Sequence, residues 1–355
     1  MATIADIAQS IGVSPATVSR ALNGKAGVSE AIRAQIVAEA GRLNFAANGA
    51  ARSLATTRTE NIAFAIYQPP LTTDQFFGPF YSRIMFGAEQ ELQRQEYHLL
   101  VTTLTDEHIA RPEQWSVARG RRADGVIVAG PLAPARFTMV LQALGLPTVL
   151  VDNAAPMSSI DAVLGDDRNG ARRLAEHVLG HGYRRVVVIA GPKDWFTNRE
   201  RCGGFAAALR TARVKPLAVL HAEATTHDTG YALARQALEY KPTAILAIND
   251  AMAMGAIDAV QAAGLTVPGD IAVTGFDDIE PTRHLAVPLT TVHLPKQNLG
   301  RIAARQLLDR IARPDTPHQR VLVETTPVIR RSCGCVTPAQ GRDGARGGEA
   351  SQGTM

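Results

Sequence analysis

The chain has 355 residues, of which 46% are apolar and 20% charged, a composition typical of a globular protein with two or three domains. No run of about 18 apolar residues occurs, no secretion signal opens the chain, and three cysteines are too few for a disulfide framework, so we expect a cytoplasmic protein without membrane contact. The formal net charge of +4 permits an anionic partner such as nucleic acid without requiring one.

Residues 1–46 predict three short helices and no strand. A hydroxyl side chain that can cap a helix precedes each of them, and a glycine or an Asn-Gly pair follows the first two. Pro15 stands at the first position of the second helix, where a missing N–H does no harm. The predicted caps are Thr3, Ser14 and Ser29, and the predicted ends are Gly12 and Asn23-Gly24.

The second helix, within "VSPATVSRALNG" (13–24), has a small polar face, with Val18 and Leu22 turned inward. A helix, a tight turn and a second capped helix are typical of a helix-turn-helix, whose second helix enters the DNA major groove. The same pattern is also typical of a capped surface helix in a small bundle, and the spacing alone does not separate the two. Residues 1–60 carry six Lys/Arg against four Asp/Glu, so DNA binding would need two copies. The residues expected to face DNA are Ala16, Thr17, Ser19 and Arg20.

From Ile62 onward, short β-branched runs alternate with helical patterns, and the rhythm begins again near residue 160. This alternation predicts two doubly wound lobes with parallel sheets and a ligand cleft at the carboxyl ends of the strands. The predicted strands are "IAFAIY", "HLLVTT", "GVIVAG", "TVLVD", "DAVLGD", "RVVVIAG", "LAVLHA", "AILAIND" and "IAVTGFDD". The predicted helices are 81–95, one ending near 122, 135–144, 169–180, 199–212, 230–239 and 252–263.

Motifs for catalysis are missing from the sequence. It contains no GxGxxG after a strand, no phosphate-binding GxxxxGK[ST] loop and no GxSxG nucleophile elbow, so we predict neither an enzyme nor a cofactor. The nine histidines are interpreted as scattered, and Cys333 and Cys335 in "CGC" as free thiols, so no metal site is predicted.

Ordered motifs resemble the LacI/GalR family of transcription regulators. "TIADIAQSIGVSPATVSRALNG", "VSEAIRAQIVAEAGRLNF" and "NGAARSLATTRTENIAFAI" resemble its headpiece and hinge, and "RRADGVIVAG", "GDDRNGARRLAEHVLGHGYRRVVVIAGP" and "IAVTGFDD" resemble its effector domain. The resemblance implies an all-α helix-turn-helix headpiece with a hinge helix, followed by a two-lobed α/β domain like periplasmic binding proteins. It also implies a homodimer that binds a palindromic operator in double-stranded DNA.

The resemblance further implies that residues 48–55 form a hinge helix that orders on DNA. Leu54 matches a leucine that wedges into the minor groove and kinks the duplex; the alternative is an ordinary buried leucine, although "NGAA" offers little to bury it. The family often has proline at the position of Ala47 and a larger aliphatic residue at Ala50. Gly49 beside Ala50 lowers helix propensity by about 1 kcal/mol relative to alanine. The DNA-binding residues so assigned are Thr3, Ser14, Pro15, Ala16, Thr17, Ser19, Arg20, Asn23, Ser29, Asn48, Ala51 and Leu54.

In the same family the cleft between the lobes binds a small effector, commonly a sugar or nucleobase. Carboxylate and amide side chains suit vicinal hydroxyls, and aromatic rings suit sugar faces, so the composition of this cleft favours a carbohydrate. Asp166 and Asp250 have the alternative role of helix caps, and Trp195 that of plain packing. The effector-binding residues so assigned are Tyr67, Phe80, Asp166, Trp195, Arg201, Asn249 and Asp277.

The sequence therefore predicts a ligand-responsive, sequence-specific DNA-binding repressor of carbohydrate utilisation genes. The alternative is a cytoplasmic sugar-binding module without a DNA function; a sugar-metabolising enzyme has no motif to support it. The predicted domains are a headpiece (1–46), hinge and linker (47–60), a two-lobed effector and dimerisation domain (61–336) and a disordered tail (337–355). The lobe boundary is expected near residue 160, with the chain crossing back after about 285.

Overall fold

The computed structural model of the chain describes residues 2–22, 26–43, 58–67, 78–119, 122–130, 135–154 and 160–335. The predictions for Asn23, for the hinge residues Asn48, Ala51 and Leu54, and for the tail 337–355 lie outside these residues. In the part of the chain that is described, no helix combines the length and the apolar character needed to cross a bilayer.

Three helices at the start of the chain pack into a small bundle. The turn between the first two bends at Gly12, whose φ of 67° is left-handed and suits a residue without a side chain. Thr3 and Ser29 accept hydrogen bonds from the first turns of the first and third helices, so both act as caps. The helices are α1 (Ile4–Ile11), α2 (Pro15–Leu22) and α3 (Glu30–Arg42), and their shared core contains Ile7, Ala8, Val18, Ala21, Ile36 and Ala40.

The first lobe is built on a six-stranded sheet whose neighbouring strands are all parallel. Its strands are β1 (Asn61–Tyr67), β2 (His98–Leu104), β3 (Gly125–Ala129), β4 (Thr148–Val151), β5 (Asp161–Gly165) and β11 (Arg320–Val323). Their order is β11-β5-β4-β3-β1-β2, which leaves β2 and β11 at the edges. Side chains of β1 are buried on both faces, as a parallel sheet covered by helices requires.

The helices of the first lobe differ from the sequence prediction in two places. The helix expected to end near 122 is interrupted, because Pro112 forces Arg111 out of the helical region (φ −132°, ψ 66°) and starts a 3₁₀ turn. A 17-residue helix near the carboxyl end was not predicted; it packs against the first helix of this lobe. The helices are α4 (Tyr81–Gln93), α5 (Asp106–Ala110), α6 (Ser116–Arg119), α7 (Ala135–Ala143) and α12 (Lys296–Ala312).

The second lobe has a four-stranded parallel sheet in the order β7-β6-β8-β9. Its helices begin two or three residues before the predicted positions, because the few residues that open them are too short a stretch to show an apolar period. The strands are β6 (Val186–Ala190), β7 (Ala218–His221), β8 (Ala244–Ala247) and β9 (Ala272–Thr274). The helices are α8 (Asp167–Gly180), α9 (Phe196–Thr211), α10 (His227–Leu238) and α11 (Asp250–Ala262).

The rhythm of strands and helices predicts that "DAVLGD" opens the second lobe, and this prediction is wrong. β5 pairs with β4 and β11 in the first sheet, so the chain passes to the second lobe after Gly165 instead of near 160. It returns to the first lobe between β10 (Thr291–His293) and α12, and crosses again between β11 and β12 (Thr326–Val328). The segments that cross between the lobes pack closely at Gly165, where an added Cβ would collide with Leu294.

Candidate functional site

The second helix of the headpiece presents an exposed polar face. Val18 and Ala21 are buried, whereas Ala16 and Arg20 are exposed on the opposite side of α2. The Ser14 hydroxyl accepts a hydrogen bond from the Thr17 amide (3.1 Å), so it fixes the first turn of the helix. This slim face is the shape that fits a major groove.

The neighbouring helix holds α2 in place. Arg33 of α3 donates through Nη1 to the carbonyl oxygen of Ala21 at 2.6 Å, where α2 ends and its carbonyls lack helical partners. Glu39 accepts hydrogen bonds from Ser10 of α1 and from Arg42 (2.7 Å), and these partners lower the pKa of Glu39 to about 2. These contacts therefore hold α2 and its two neighbouring helices in a fixed arrangement.

A cavity of about 410 Å³ lies between the two lobes of the larger domain, at the small end of the ~300–1,000 Å³ range of ligand pockets. The first lobe contributes Phe80, Tyr81 and Asp152. The second lobe contributes residues that follow the carboxyl ends of its strands, where open parallel sheets bind ligands. Those used below are Trp195, Asn198, Arg201, Asn249 and Asp277.

Arg201 is the centre of the cavity floor and only 4% exposed. Its Nε donates to Asp167 Oδ2 (3.0 Å), its Nη1 donates to the carbonyl oxygen of Ile248 (3.1 Å), and its Nη2 lies 3.0 Å from Asp277 Oδ1. The guanidinium carbon also stacks 4.0 Å from the centroid of the Phe276 ring. Each of the three guanidinium nitrogens thus has a partner within the protein.

More negative than positive groups converge on this floor. Burial raises the pKa of Asp167 to about 6, against the lowering effect of Arg201, and burial also raises the pKa of Asp152 and Asp277. Burial works against the charge of Arg201, but the three carboxylates more than compensate and raise its pKa. Asp152 lines the cavity, and its Oδ1 atom is buried without a hydrogen-bond partner among the described residues.

Two of these aspartates have strained backbones. Asp152 follows β4 with φ 63°, and Asp277 follows β9 with φ 112°, a region that L side chains rarely adopt. The Asp277 amide donates to the Val292 carbonyl oxygen (2.9 Å), which keeps the chain in this conformation. Such strain is often found where a side chain must be aimed at a ligand.

The structure brings five of the seven predicted effector residues to the cavity. Two others lie elsewhere: the Tyr67 hydroxyl donates to Asp106 Oδ1 (2.6 Å), and Asp166 caps α8 by accepting from the Asn169 amide (3.4 Å). Asn249 lines the cavity and also caps α11 through the Met252 amide (2.9 Å). The five lining residues are Phe80, Trp195, Arg201, Asn249 and Asp277.

Sequence reasoning missed several residues of the floor and wall. Asp152 ends the predicted strand "TVLVD", so the strand-end rule could have found it. Asp167 stands beside Asp166, and only the packing decides which of the two faces Arg201. Tyr81 and Asn198 lie in the first turns of α4 and α9, and no spacing in the sequence distinguishes them from surface residues.

These features define a class of protein: a helix-turn-helix reading head joined to a two-lobed, ligand-binding sensor. Family models agree with both parts. The model for bacterial regulatory proteins of the lacI family matches residues 3–48, and the model for the periplasmic binding protein-like domain matches residues 175–333. The expected fold class is confirmed.

Known proteins match nearly the whole chain. The ribose operon repressor of Escherichia coli (strain K12) is 32% identical over 336 residues, which cover 93% of this chain and 98% of that protein. The repressor PurR of Aliivibrio fischeri (strain ATCC 700601 / ES114) is 31% identical over 339 residues, covering 94% and 98%. A solved complex of the transcriptional regulator CelR with cellobiose has a TM-score of 0.71 at 29% identity, covering 94% of this chain and 100% of that one.

The chain therefore belongs to the lacI family of bacterial regulatory proteins, as the resemblance implied. It is a ligand-responsive, DNA-binding transcriptional repressor, and the relatives named above are repressors and a transcriptional regulator. A sugar-binding module without a DNA function is not favoured, because the headpiece is matched as well as the lobes.

Replacing Arg201 tests whether the guanidinium holds the floor together. We expect Arg201→Met to lower the free energy of unfolding by about 3–5 kcal/mol near neutral pH, because it leaves buried carboxylates unpaired. Because folding raises the pKa of these carboxyl groups, each begins to oppose folding above its unfolded pKa near 4 and does so fully above its folded pKa. The loss of stability should therefore shrink as the pH falls toward about 4. Urea unfolding across this pH range measures it.

The control for this prediction is Arg199→Met, two residues earlier on α9 and exposed. It should change stability by no more than about 0.5 kcal/mol. A loss in Arg201→Met as small as in this control, or one independent of pH, would contradict the role given to Arg201.

Proposed function

We propose that the effector is an uncharged sugar the size of one or two rings, bound between the lobes. The observation that carries this proposal is the excess of buried carboxylates around one guanidinium in a cavity of about 410 Å³. Carboxylates accept hydrogen bonds from hydroxyl groups, whereas an anionic ligand would meet their repulsion. Trp195 and Phe80 add aromatic faces on which a sugar ring packs.

The comparisons support a sugar without identifying it. One relative is named a ribose operon repressor, and one structural neighbour is a complex with cellobiose. A second neighbour, a lacI-family regulator from Enterococcus faecium with bound ribose, has a TM-score of 0.66 at 25% identity. The proposed role of this chain is that of a cytoplasmic repressor of genes for carbohydrate use. The bound sugar controls its affinity for the operator.

Asp152→Asn tests the proposed ligand contact. An amide has one oxygen acceptor where the carboxylate has two, so we expect the dissociation constant for the bound sugar to rise at least about tenfold. Isothermal titration with a sugar and nucleobase panel that includes ribose and cellobiose measures it. Asp228→Asn, an exposed aspartate on α10, is the control and should bind like the unmodified chain. Binding of nucleobases but of no sugar would refute the proposal.

We propose that α2 reads the operator through its exposed face, with two headpieces on a palindromic site. On this proposal Ala16, Thr17 and Arg20 contact bases or phosphates, while Ser14 caps α2. The face of one headpiece is small, and a two-fold pair doubles the contacts. The hinge assignments, including Leu54, stay predictions from the sequence.

Arg20→Ala should weaken operator binding by about 1–3 kcal/mol and, if Arg20 binds a phosphate, reduce the salt dependence by about one ion per chain. Fluorescence anisotropy with a palindromic duplex at several salt concentrations measures both. Arg210→Ala, an exposed arginine on α9, serves as the control because it removes the same charge far along the chain. Equal operator affinity in the two variants would contradict a reading role for Arg20.

We propose that the first-lobe edge strand β2 contributes to the dimer interface. β2 ends the sheet, and its Leu100 and Val101 are 37% and 46% exposed, an uncovered apolar edge that favours a second copy of the chain. Phe86 on α4 of the same lobe is also exposed (47%).

Val101→Glu should therefore shift the chain toward monomer and weaken the dimer by at least about 2 kcal/mol, because a carboxylate would be buried without a partner. Sedimentation velocity at several concentrations measures the shift. Val219→Glu is matched to it: Val219 also lies on an edge strand, β7 of the second lobe, and is also 46% exposed. If both variants dimerise like the unmodified chain, β2 is not in the interface.

A further inference from the structure

Two histidines and two cysteines meet at a place remote from the cleft. His177 and His181 lie four residues apart on α8 and therefore on the same face of that helix. Cys333 and Cys335 lie in the segment that follows β12, more than 150 residues later. One ligand atom from each of the four side chains lies within 4.8 Å of all the others.

Four of the six distances between these atoms are close to the edges of a tetrahedral metal site. The two Nε2 atoms are 3.3 Å apart, and nitrogen–sulfur distances are 3.4 Å (His177–Cys333), 3.1 Å (His181–Cys335) and 3.5 Å (His177–Cys335). Zinc bonds of about 2.0–2.1 Å to nitrogen and about 2.3 Å to sulfur give tetrahedron edges of roughly 3.3–3.4 Å between nitrogens, roughly 3.5–3.6 Å between nitrogen and sulfur, and roughly 3.8 Å between sulfurs. The four side chains thus stand close to the positions that a Zn²⁺ ion would require.

The local backbone brings the two cysteines to one point. Gly334 between them has φ 94°, and its amide donates to the Arg331 carbonyl oxygen (3.0 Å), so the chain turns instead of extending. A Cβ at Gly334 would also press on the Tyr183 hydroxyl oxygen, at a distance of 3.0 Å. The glycine therefore permits both the turn and the close approach of Tyr183.

Neighbouring groups orient the buried ligand. The Thr290 hydroxyl donates to Cys333 Sγ (3.1 Å) and accepts from the Arg330 amide (2.9 Å), so its proton is directed at the sulfur. Tyr183 donates to the Cys333 carbonyl oxygen at 3.3 Å. Hydrogen bonds of this kind fix metal ligands in place and favour the thiolate that binds the ion.

We propose that His177, His181, Cys333 and Cys335 form a Zn²⁺ site that fastens the carboxyl-terminal segment to α8. With four protein ligands the coordination is complete, which makes the site structural and not catalytic. The sequence alone favoured scattered histidines and free thiols, because the two pairs are far apart in the chain. A Cys333–Cys335 disulfide is the competing arrangement, and it gives no reason for two imidazoles to point at the sulfurs.

The test uses the full chain, purified without chelator under reducing conditions, loaded with Zn²⁺ and dialysed. We expect about one zinc per chain by mass spectrometry, and with Co²⁺ in its place the visible bands and thiolate charge-transfer absorption of a tetrahedral site. Cys335→Ser and His181→Ala should each lower retained metal to a small fraction of one per chain. Cys202→Ser removes the third cysteine, which lies outside the cluster, and should retain the metal.

His181 is exposed, so His181→Ala should fold even if Cys335→Ser does not, and circular dichroism checks both. A strong chelator should lower the melting temperature of the unmodified chain and leave that of His181→Ala unchanged. Unmodified chain that retains no metal, metal retained equally by all variants, or a Cys333–Cys335 disulfide in the freshly purified protein would each overturn the proposal.

Discussion

The arrangement of the effector cleft depends on one buried cation. Arg201 holds Asp167 at the start of α8, the carbonyl of Ile248 at the end of β8, and Asp277 after β9. Without the guanidinium these buried carboxylates would repel one another in a medium of low dielectric. Because each partner comes from a different element, the one side chain fixes the carboxyl ends of the second-lobe sheet as a rigid floor.

This floor is directly connected to the segments that cross between the lobes. Asp277 faces Arg201, while the next residue, Asp278, pairs with His293 (2.9 Å) and Arg330, and these partners lower the pKa of Asp278. Lys296, at the start of α12, donates to the carbonyl oxygens of Asp277 and Asp278. A ligand that moves the Asp277 carboxylate therefore acts next to Asp278, which contacts His293 at the crossing between β10 and α12. If it binds the closed lobes more tightly, it shifts the arrangement of the domain.

Local patterns in the sequence predicted most of the strands and helices. They did not predict which segments far apart in the chain contact one another. Strand runs and caps predicted both sheets and the headpiece, because these signals are local. β5 was assigned to the wrong lobe because the strand rhythm does not reveal which sheet a strand joins. The His–Cys cluster was missed for a related reason: its two pairs lie more than 150 residues apart in the chain. Asp152, in contrast, ends a predicted strand, where the strand-end rule could have found it. The resemblance supplied Arg201 and Asp277 but not their contact with each other.

The contact between Arg201 and Asp277 affects how the cleft can bind a ligand. An arginine in a ligand cleft suggests a free guanidinium that grips a carboxylate or phosphate. Here the contacts to Asp167, Ile248 and Asp277 use three of the five N–H donors of Arg201, so only two remain for a ligand. The carboxylates of Asp152 and Asp277 add hydrogen-bond acceptors to the cavity lining. A lining of this kind favours a ligand with several hydrogen-bond donors, and the proposed sugar would supply them through its hydroxyl groups.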